Sequence, residues 1–322
     1  MIEEYLKKFA NLRTDKGRDR YPAYTHNRAP HKPFLLLSIM DLIAQGQITE
    51  NFIEPSLELV DTFNTYWSRI MPPGSTTSMA YPFSRLKTDG FWERITKPGY
   101  DPEIEYNVKS MRRFRELYLG AKVDDQLFQY FCDPKIREQL RAALINTYFV
   151  PEIRSVLLEQ GNVNYEAFRY SQALLSMAEP QAAYGEDKQK SRYGPNVRDQ
   201  AFRKTVVRLY DHRCALCGVR MLTPDGHTVV QAAHIKPWRL SYDDRPTNGM
   251  ALCRLCHWYF DEGLMSVGKE YKVLVSRRVN LEQNLPGHIL TLMERNIFAP
   301  VEQRYWPAPE NLDWHRRKAF LK

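Results

Sequence analysis

The chain has 322 residues, 43% of them hydrophobic and 26% charged, a balance that excludes disorder as the main state and, at roughly 150 residues per domain, predicts about two domains. Lys and Arg outnumber Asp and Glu by 46 to 38, and residues 201–322 carry 19 basic against 12 acidic side chains while residues 1–200 carry 27 against 26. The first 32 residues hold a second surplus of eight to four, so two basic surfaces suited to a polyanion such as nucleic acid are expected.

No run of about 18 apolar residues occurs, and the opening segment MIEEYLKKFANLRTDKGRDR lacks the apolar core of a secretory signal, so no membrane is expected and the compartment is expected to be cytoplasmic. Cysteines in such a reducing compartment are expected to stay free of disulfides. Four of the five fall into two Cys-x-x-Cys pairs, while Cys132 stands alone and is expected to be a small buried side chain.

In chain order, Pro33 opens FLLLSIMDLIAQ, apolar on nearly every face and closed by Gly46, which predicts a buried helix at the centre of the first domain. Leu57, Val60, Phe63 and Trp67 follow at helical spacing. After the Pro72-Pro73-Gly74 break, YPFSRLKTDGFWERI reads as extended segments around an Asp89-Gly90 turn. Residues 134–148 and 151–176 read as helices, with Ile136, Leu140, Leu144 and Tyr148 on one face of the first. Apolar periodicity then disappears over residues 179–196, which predicts a linker between a domain at 1–178 and another at 197–322. Phe202, Val206 and Leu209 mark a further helix leading into the first cysteine pair.

Cys214-Ala-Leu-Cys217 and Cys253-Arg-Leu-Cys256 form two knuckles whose four thiolates can complete a tetrahedral, closed and therefore structural Zn²⁺ site. The 35 residues between them exceed the roughly 15 to 20 of a simple ribbon, so another unit is inserted there. The insert implies a strand ending near His234, a polar loop to Thr247-Asn248-Gly249, a returning strand, and a helix. On that helix His257 and Asp261 stand four residues apart and can share a divalent cation.

AAHIKPW, TNGMALC and CHWYFDEGL, bracketed by the two cysteine pairs, resemble the HNH, or ββα-metal, endonuclease motif over residues 198–280. The resemblance implies His234 as the general base, Asn248 as the residue that fixes the loop and orients that base, and His257 as a ligand of catalytic Mg²⁺ (or Mn²⁺). Asp261 is the expected second ligand. Where many family members carry an aspartate ligand just before the base, this chain has Ala233, with Asp244 a substitute of lower rank than Asp261. These residue types suit phosphodiester hydrolysis, since a histidine of ordinary pKa near about 6.5 can accept water's proton and a cation can offset charge on the leaving oxygen. Lys236, Arg239, Arg245 and Arg254 are candidates for backbone phosphates.

A nuclease needs a selector, which assigns recognition to the first domain. Arg28-Ala-Pro-His31-Lys32-Pro33 places cationic side chains at the start of a helix, where the dipole favours a phosphate. RAPHKPFLLLSIMDLI followed by YPFSRLKTDGFW resembles the sulfur-binding domain of phosphorothioate-dependent Type IV restriction endonucleases over residues 10–95. That resemblance implies that Tyr81 and Pro82 line an apolar pocket for the non-bridging sulfur, with Arg28, His31, Lys32 and Arg85 holding phosphates and base edges. Sulfur is larger, softer and less hydrated than oxygen, so an apolar pocket suits it. The tail WPAPENLDWHRRKAFLK is expected to pack back on the nuclease domain, with DNA as its alternative.

The expectation is an α+β protein: a helix-rich DNA-recognition domain followed by a zinc-stabilised ββα-metal nuclease that cuts phosphorothioated double-stranded DNA, with a homodimer expected for double-strand cleavage. Its rivals are an HNH nuclease reading a methylated or hydroxymethylated base, and a zinc-stabilised DNA-binding protein that does not cut.

Overall fold

The structure is a computed structural model, and it describes residues 2–101, 104, 108–177, 193–280 and 284–322. The expected linker at 179–196 lies outside the described residues up to 192. The chain divides into two compact units, residues 1–165 with 224–226, and residues 166–223 with 227–322. Among the described residues no helix is long and apolar enough to cross a membrane.

The first unit is built around a buried helix. Helix α1 (Ile2–Ala10) precedes α2 (His31–Ala44), in which every residue from Lys32 to Ile43 is buried, as expected for a helix apolar on all faces. Gly46, at φ +70°, lets the chain leave α2 in a left-handed turn. Helix α3 (Leu57–Ile70) is capped by Ser56, whose hydroxyl accepts from the Leu59 amide, and turns Leu59, Val60, Phe63 and Trp67 inward.

Where extended chain was expected, residues 80–85 form helix α4 (Ala80–Arg85), continued by a 3₁₀ turn over Leu86–Asp89. The reason is spacing: Pro82, Phe83 and Leu86 recur at helical intervals, are all buried, and proline is tolerated in a first turn. Only Trp92–Thr96 forms a strand, β1.

Helix α5 (Met111–Leu117) leads into β2 (Tyr118–Val123), antiparallel to β1 with Trp92 opposite Val123. Helices α6 (Asp125–Cys132), α7 (Pro134–Tyr148) and α8 (Pro151–Ser176) complete the unit, α8 up to Tyr165. Cys132 is exposed rather than buried, because it ends α6 on the face opposite Leu127 and Phe131. One polar cluster is fully enclosed: the Asp41 carboxylate accepts from Arg141 Nη2 at 2.8 Å, the Tyr66 hydroxyl at 2.8 Å and Asn164 Nδ2 at 2.7 Å. Such a pair persists in a core because its remaining lone pairs are also satisfied.

The second unit begins inside α8. Ala167, Tyr170 and Leu174 pack with Ala201 of α9 (Pro195–Leu209). Then come β3 (Val230–His234), a short α10 (Trp238–Ser241), β4 (Gly249–Cys253) and α11 (Arg254–Asp261), the ββα order read from the sequence. Strands β5 (Met265–Val267) and β6 (Val273–Val275) form a second hairpin. The tail ends in α12 (Pro309–Lys318), which packs back on this unit through buried Leu312 and His315.

Candidate functional site

The two cysteine knuckles converge. Cys214 and Cys217 lie in the turn after α9, Cys253 ends β4, Cys256 sits in the first turn of α11, and their four sulfurs all lie within 4.8 Å of one another. Cys217 Sγ and Cys253 Sγ are 3.8 Å apart. Tetrahedral metal–sulfur bonds of about 2.3 Å space sulfurs about 3.8 Å apart, so the cluster has the size a zinc tetrathiolate needs. The crowded thiols share their protons unequally, hydrogen bonds among them lowering Cys217 and Cys253 and raising Cys214 and Cys256. These four residues can hold a metal ion.

The β3–β4 hairpin pairs Val230 with Cys253 at one end and His234 with Gly249 at the other, so it runs from the cysteine cluster to the candidate base. The His234 ring is fixed on two sides. It stacks on Phe202 of α9, centroids 3.8 Å apart and planes within 3°, and its Nε2 lies 3.0 Å from Asp244 Oδ1. Gly249 permits the stack, because a Cβ there would sit 2.6 Å from Val206 Cγ2 and 2.9 Å from the Phe202 ring. Still, 22% of the His234 side chain remains exposed.

Asn248 is wholly buried and braces the loop, accepting from the Lys236 amide at 3.0 Å and donating to the Lys236 and Asp243 carbonyls at 3.0 and 2.9 Å. Asp244 is the side chain hydrogen-bonded to His234, while Asn248 acts on the loop that follows it. Both oxygens of Asp244, the lower-ranked candidate ligand, are already engaged. Its side chain is 2% exposed, with Oδ1 facing His234 and Oδ2 accepting from Arg198 Nε at 2.9 Å and the Tyr170 hydroxyl at 3.3 Å. Burial pushes its carboxyl up, but bonds from His234 and Arg198 outweigh this and hold it below its ordinary value, so it is ionised at neutral pH. Ala233 is buried in the core and offers no ligand.

On α11, His257 Nε2 and Asp261 Oδ2 lie 3.4 Å apart across one helical turn, both reaching solvent. Arg239 and Arg254 are exposed, whereas Arg245 is engaged by both oxygens of Asp243 at 3.0 and 2.8 Å.

In the first unit, His31 opens α2 with its ring 4.7 Å from Trp67 and edge-on to Tyr21 and Tyr81, at 6.2 and 6.3 Å. Burial lowers its pKa to about 4, so at neutral pH it is an uncharged member of an aromatic cluster, not the expected cation. Tyr81 is 45% exposed, whereas Phe83 two residues on is buried in the core. Pro82 is buried beside it, Arg85 is exposed one turn on, and Arg28 is half-buried in a bridge to Lys16. Lys32 departs from expectation. It is 6% exposed, with Nζ 2.5 Å from Asp89 Oδ2 and 3.3 Å from Thr88 Oγ1, so its charge is spent inside the fold.

Arg198 and Tyr170 had drawn no notice in the sequence, while Asp244 stood there only as a spare metal ligand and Phe202 only as a helix marker. The one available signal was the i, i+4 spacing of Arg198 and Phe202 on a helix already recognised.

Residues 2–164 match the family model of the ScoMcrA-like DNA sulfur-binding domain, and residues 214–268 match that of an HNH endonuclease. No curated protein matches the chain. Among solved structures, the match described as a modification dependent TagI restriction endonuclease has 24% identity and a TM-score of 0.27. The chain spans 36% of the length of that enzyme, over 36% of its own.

Proposed function

We propose, for a chain that belongs to the ScoMcrA-like DNA sulfur-binding domain family and also carries an HNH endonuclease domain, that it is a cytoplasmic, modification-dependent DNA endonuclease. Residues 1–178 recognise a phosphorothioate on double-stranded DNA, 179–196 link, and 197–322 hydrolyse a phosphodiester. The observation that carries the catalytic half is a histidine whose ring is clamped by Phe202 and Asp244 yet still reaches solvent.

His234 takes the proton of an attacking water. The resulting oxygen forms the new bond to phosphorus as the bond to the leaving sugar oxygen breaks, and that oxygen takes up a proton. Asn248 fixes the loop between the strands. His257 and Asp261 are the residues that would hold Mg²⁺ or Mn²⁺, which when bound supplies positive charge against the phosphate and the leaving oxygen. Cys214, Cys217, Cys253 and Cys256 hold structural Zn²⁺. On the first unit, Tyr81 and Pro82 wall the sulfur site, with His31 as an uncharged neighbour and Arg28 and Arg85 on flanking phosphates; Lys32 supports them from inside through Asp89. Two such centres would cut both strands in one encounter, which favours a homodimer.

His234→Ala tests the reading: it should abolish nicking while leaving DNA binding and zinc content intact, and wild-type nicking in that variant would overturn it. A second reading, a DNA-binding protein that does not cut, is favoured by the buried Ala233 where a ligand could stand. Nicking by the unaltered protein on addition of Mg²⁺ excludes it.

A further inference from the structure

We infer that Asp244, held by Arg198, fixes His234 as its Nε2–H tautomer, so that Nδ1 is the atom that takes the proton of water. This rests on His234 being the base, and it adds to that reading the residues of this chain that hold the ring and its proton in place.

The carboxylate is an acceptor only, so the hydrogen between His234 Nε2 and Asp244 Oδ1, 3.0 Å apart, belongs to the imidazole. A neutral imidazole then carries its lone pair on Nδ1. Asp244 itself cannot turn away. Its Oδ2 is held by Arg198 Nε at 2.9 Å and by the Tyr170 hydroxyl, in a site where the Asp244 side chain is 2% exposed. Arg198 is fixed in turn, with its guanidinium 3.5 Å from the centroid of the Trp238 ring. One helix supplies two parts of this device. Arg198 and Phe202 lie four residues apart on α9, so one face of it grips the carboxylate and floors the imidazole. Both residues precede the segment 214–268 that matches the endonuclease family. The ββα unit thus holds the base, and α9 from outside that unit sets its proton.

Asp244, Arg198 and Phe202 are positioning residues. The test uses the zinc-loaded full chain, isotopically labelled at its histidine nitrogens, with His234→Ala identifying the resonances of His234. In the unaltered protein the His234 proton should sit on Nε2. In Asp244→Asn, whose amide can donate to Nε2, it should move to Nδ1, and single-turnover nicking should fall by about 10⁴-fold with affinity for DNA unchanged, the scale of a catalytic histidine held in the wrong tautomer. A proton on Nδ1 in the unaltered protein overturns the inference, even if Asp244→Asn does not fold. So does a well-folded Asp244→Asn that nicks at the wild-type rate. If His234→Ala still nicks, the assignment of the base fails instead, and the tautomer measurement stands apart from it.

Discussion

The tail of the chain makes the second unit sensitive to acid through one residue. His315 of α12 is 2% exposed, lies flat on Phe260 with centroids 3.6 Å apart, and bonds Ser266 Oγ through Nδ1 at 2.9 Å and the Phe260 carbonyl through Nε2 at 3.1 Å. Burial lowers its pKa to about 4, against the pull of the Phe260 carbonyl. In the unfolded chain a histidine binds its proton at a pH of about 6.5. Between these values the unfolded state holds a proton that the folded state lacks, so stability is fully present above the unfolded value and falls as the pH is lowered towards 4. The gap corresponds to about 3 kcal/mol, a large part of the roughly 5–15 kcal/mol that holds a domain together.

His315→Gln keeps an amide able to donate and accept but removes the titration. Hydrogen exchange of the α11 and α12 amides, followed in both proteins from pH 7.5 to 4.5, reads the difference with all other titrating groups cancelled. Protection in the unaltered protein should fall more steeply, and because Phe260 lies on the helix that carries His257 and Asp261, nicking should fall with it. Equal pH slopes in the two proteins would mean that His315 does not set the acid sensitivity of this unit.

Cys214→Ser or Cys256→Ser should remove about one tightly held zinc per chain and unfold the second unit, because structural zinc supplies folding free energy directly; metal analysis beside far-UV circular dichroism reads both. Tyr81→Ala should weaken binding to phosphorothioate DNA by about 1–3 kcal/mol and leave unmodified binding nearly unchanged, so equal losses on matched duplexes would make Tyr81 a structural residue only. Arg85→Ala should lower the salt dependence of affinity by about one unit of slope on both duplexes. Lys32→Ala should act on stability instead, costing about 3–5 kcal/mol by stranding the Asp89 carboxylate, 3% exposed, without its partner; an undiminished denaturation midpoint would contradict that.

Periodicity and metal-ligand spacing made much of this protein legible. Ile136, Leu140, Leu144 and Tyr148 marked a helix that runs over Pro134–Tyr148, and the two cysteine pairs marked a cluster whose sulfurs do meet. Local patterns carry such features because neighbours in sequence create them. Asp244 and Arg198 meet across 46 residues of chain, and a single polar contact at that separation leaves no periodic trace. Lys32 and Cys132 failed in opposite directions for a related reason. Residue type sets an average burial, while the actual burial depends on whether a distant partner such as Asp89 is present. The helix at Ala80–Arg85 was missed because proline and a following Asp-Gly outweighed the spacing of Pro82, Phe83 and Leu86.

If one unit reads sulfur and the other cuts, cleavage of paired duplexes reveals both at once. Two duplexes of one sequence, one with a single phosphorothioate and the other unmodified, are incubated with the full chain and Mg²⁺ at fixed salt. The sulfur-containing duplex should be cut and the unmodified one left largely intact, with the preference lost in Tyr81→Ala. Equal cutting of both duplexes, or cutting only of a duplex carrying methylcytosine, would contradict it.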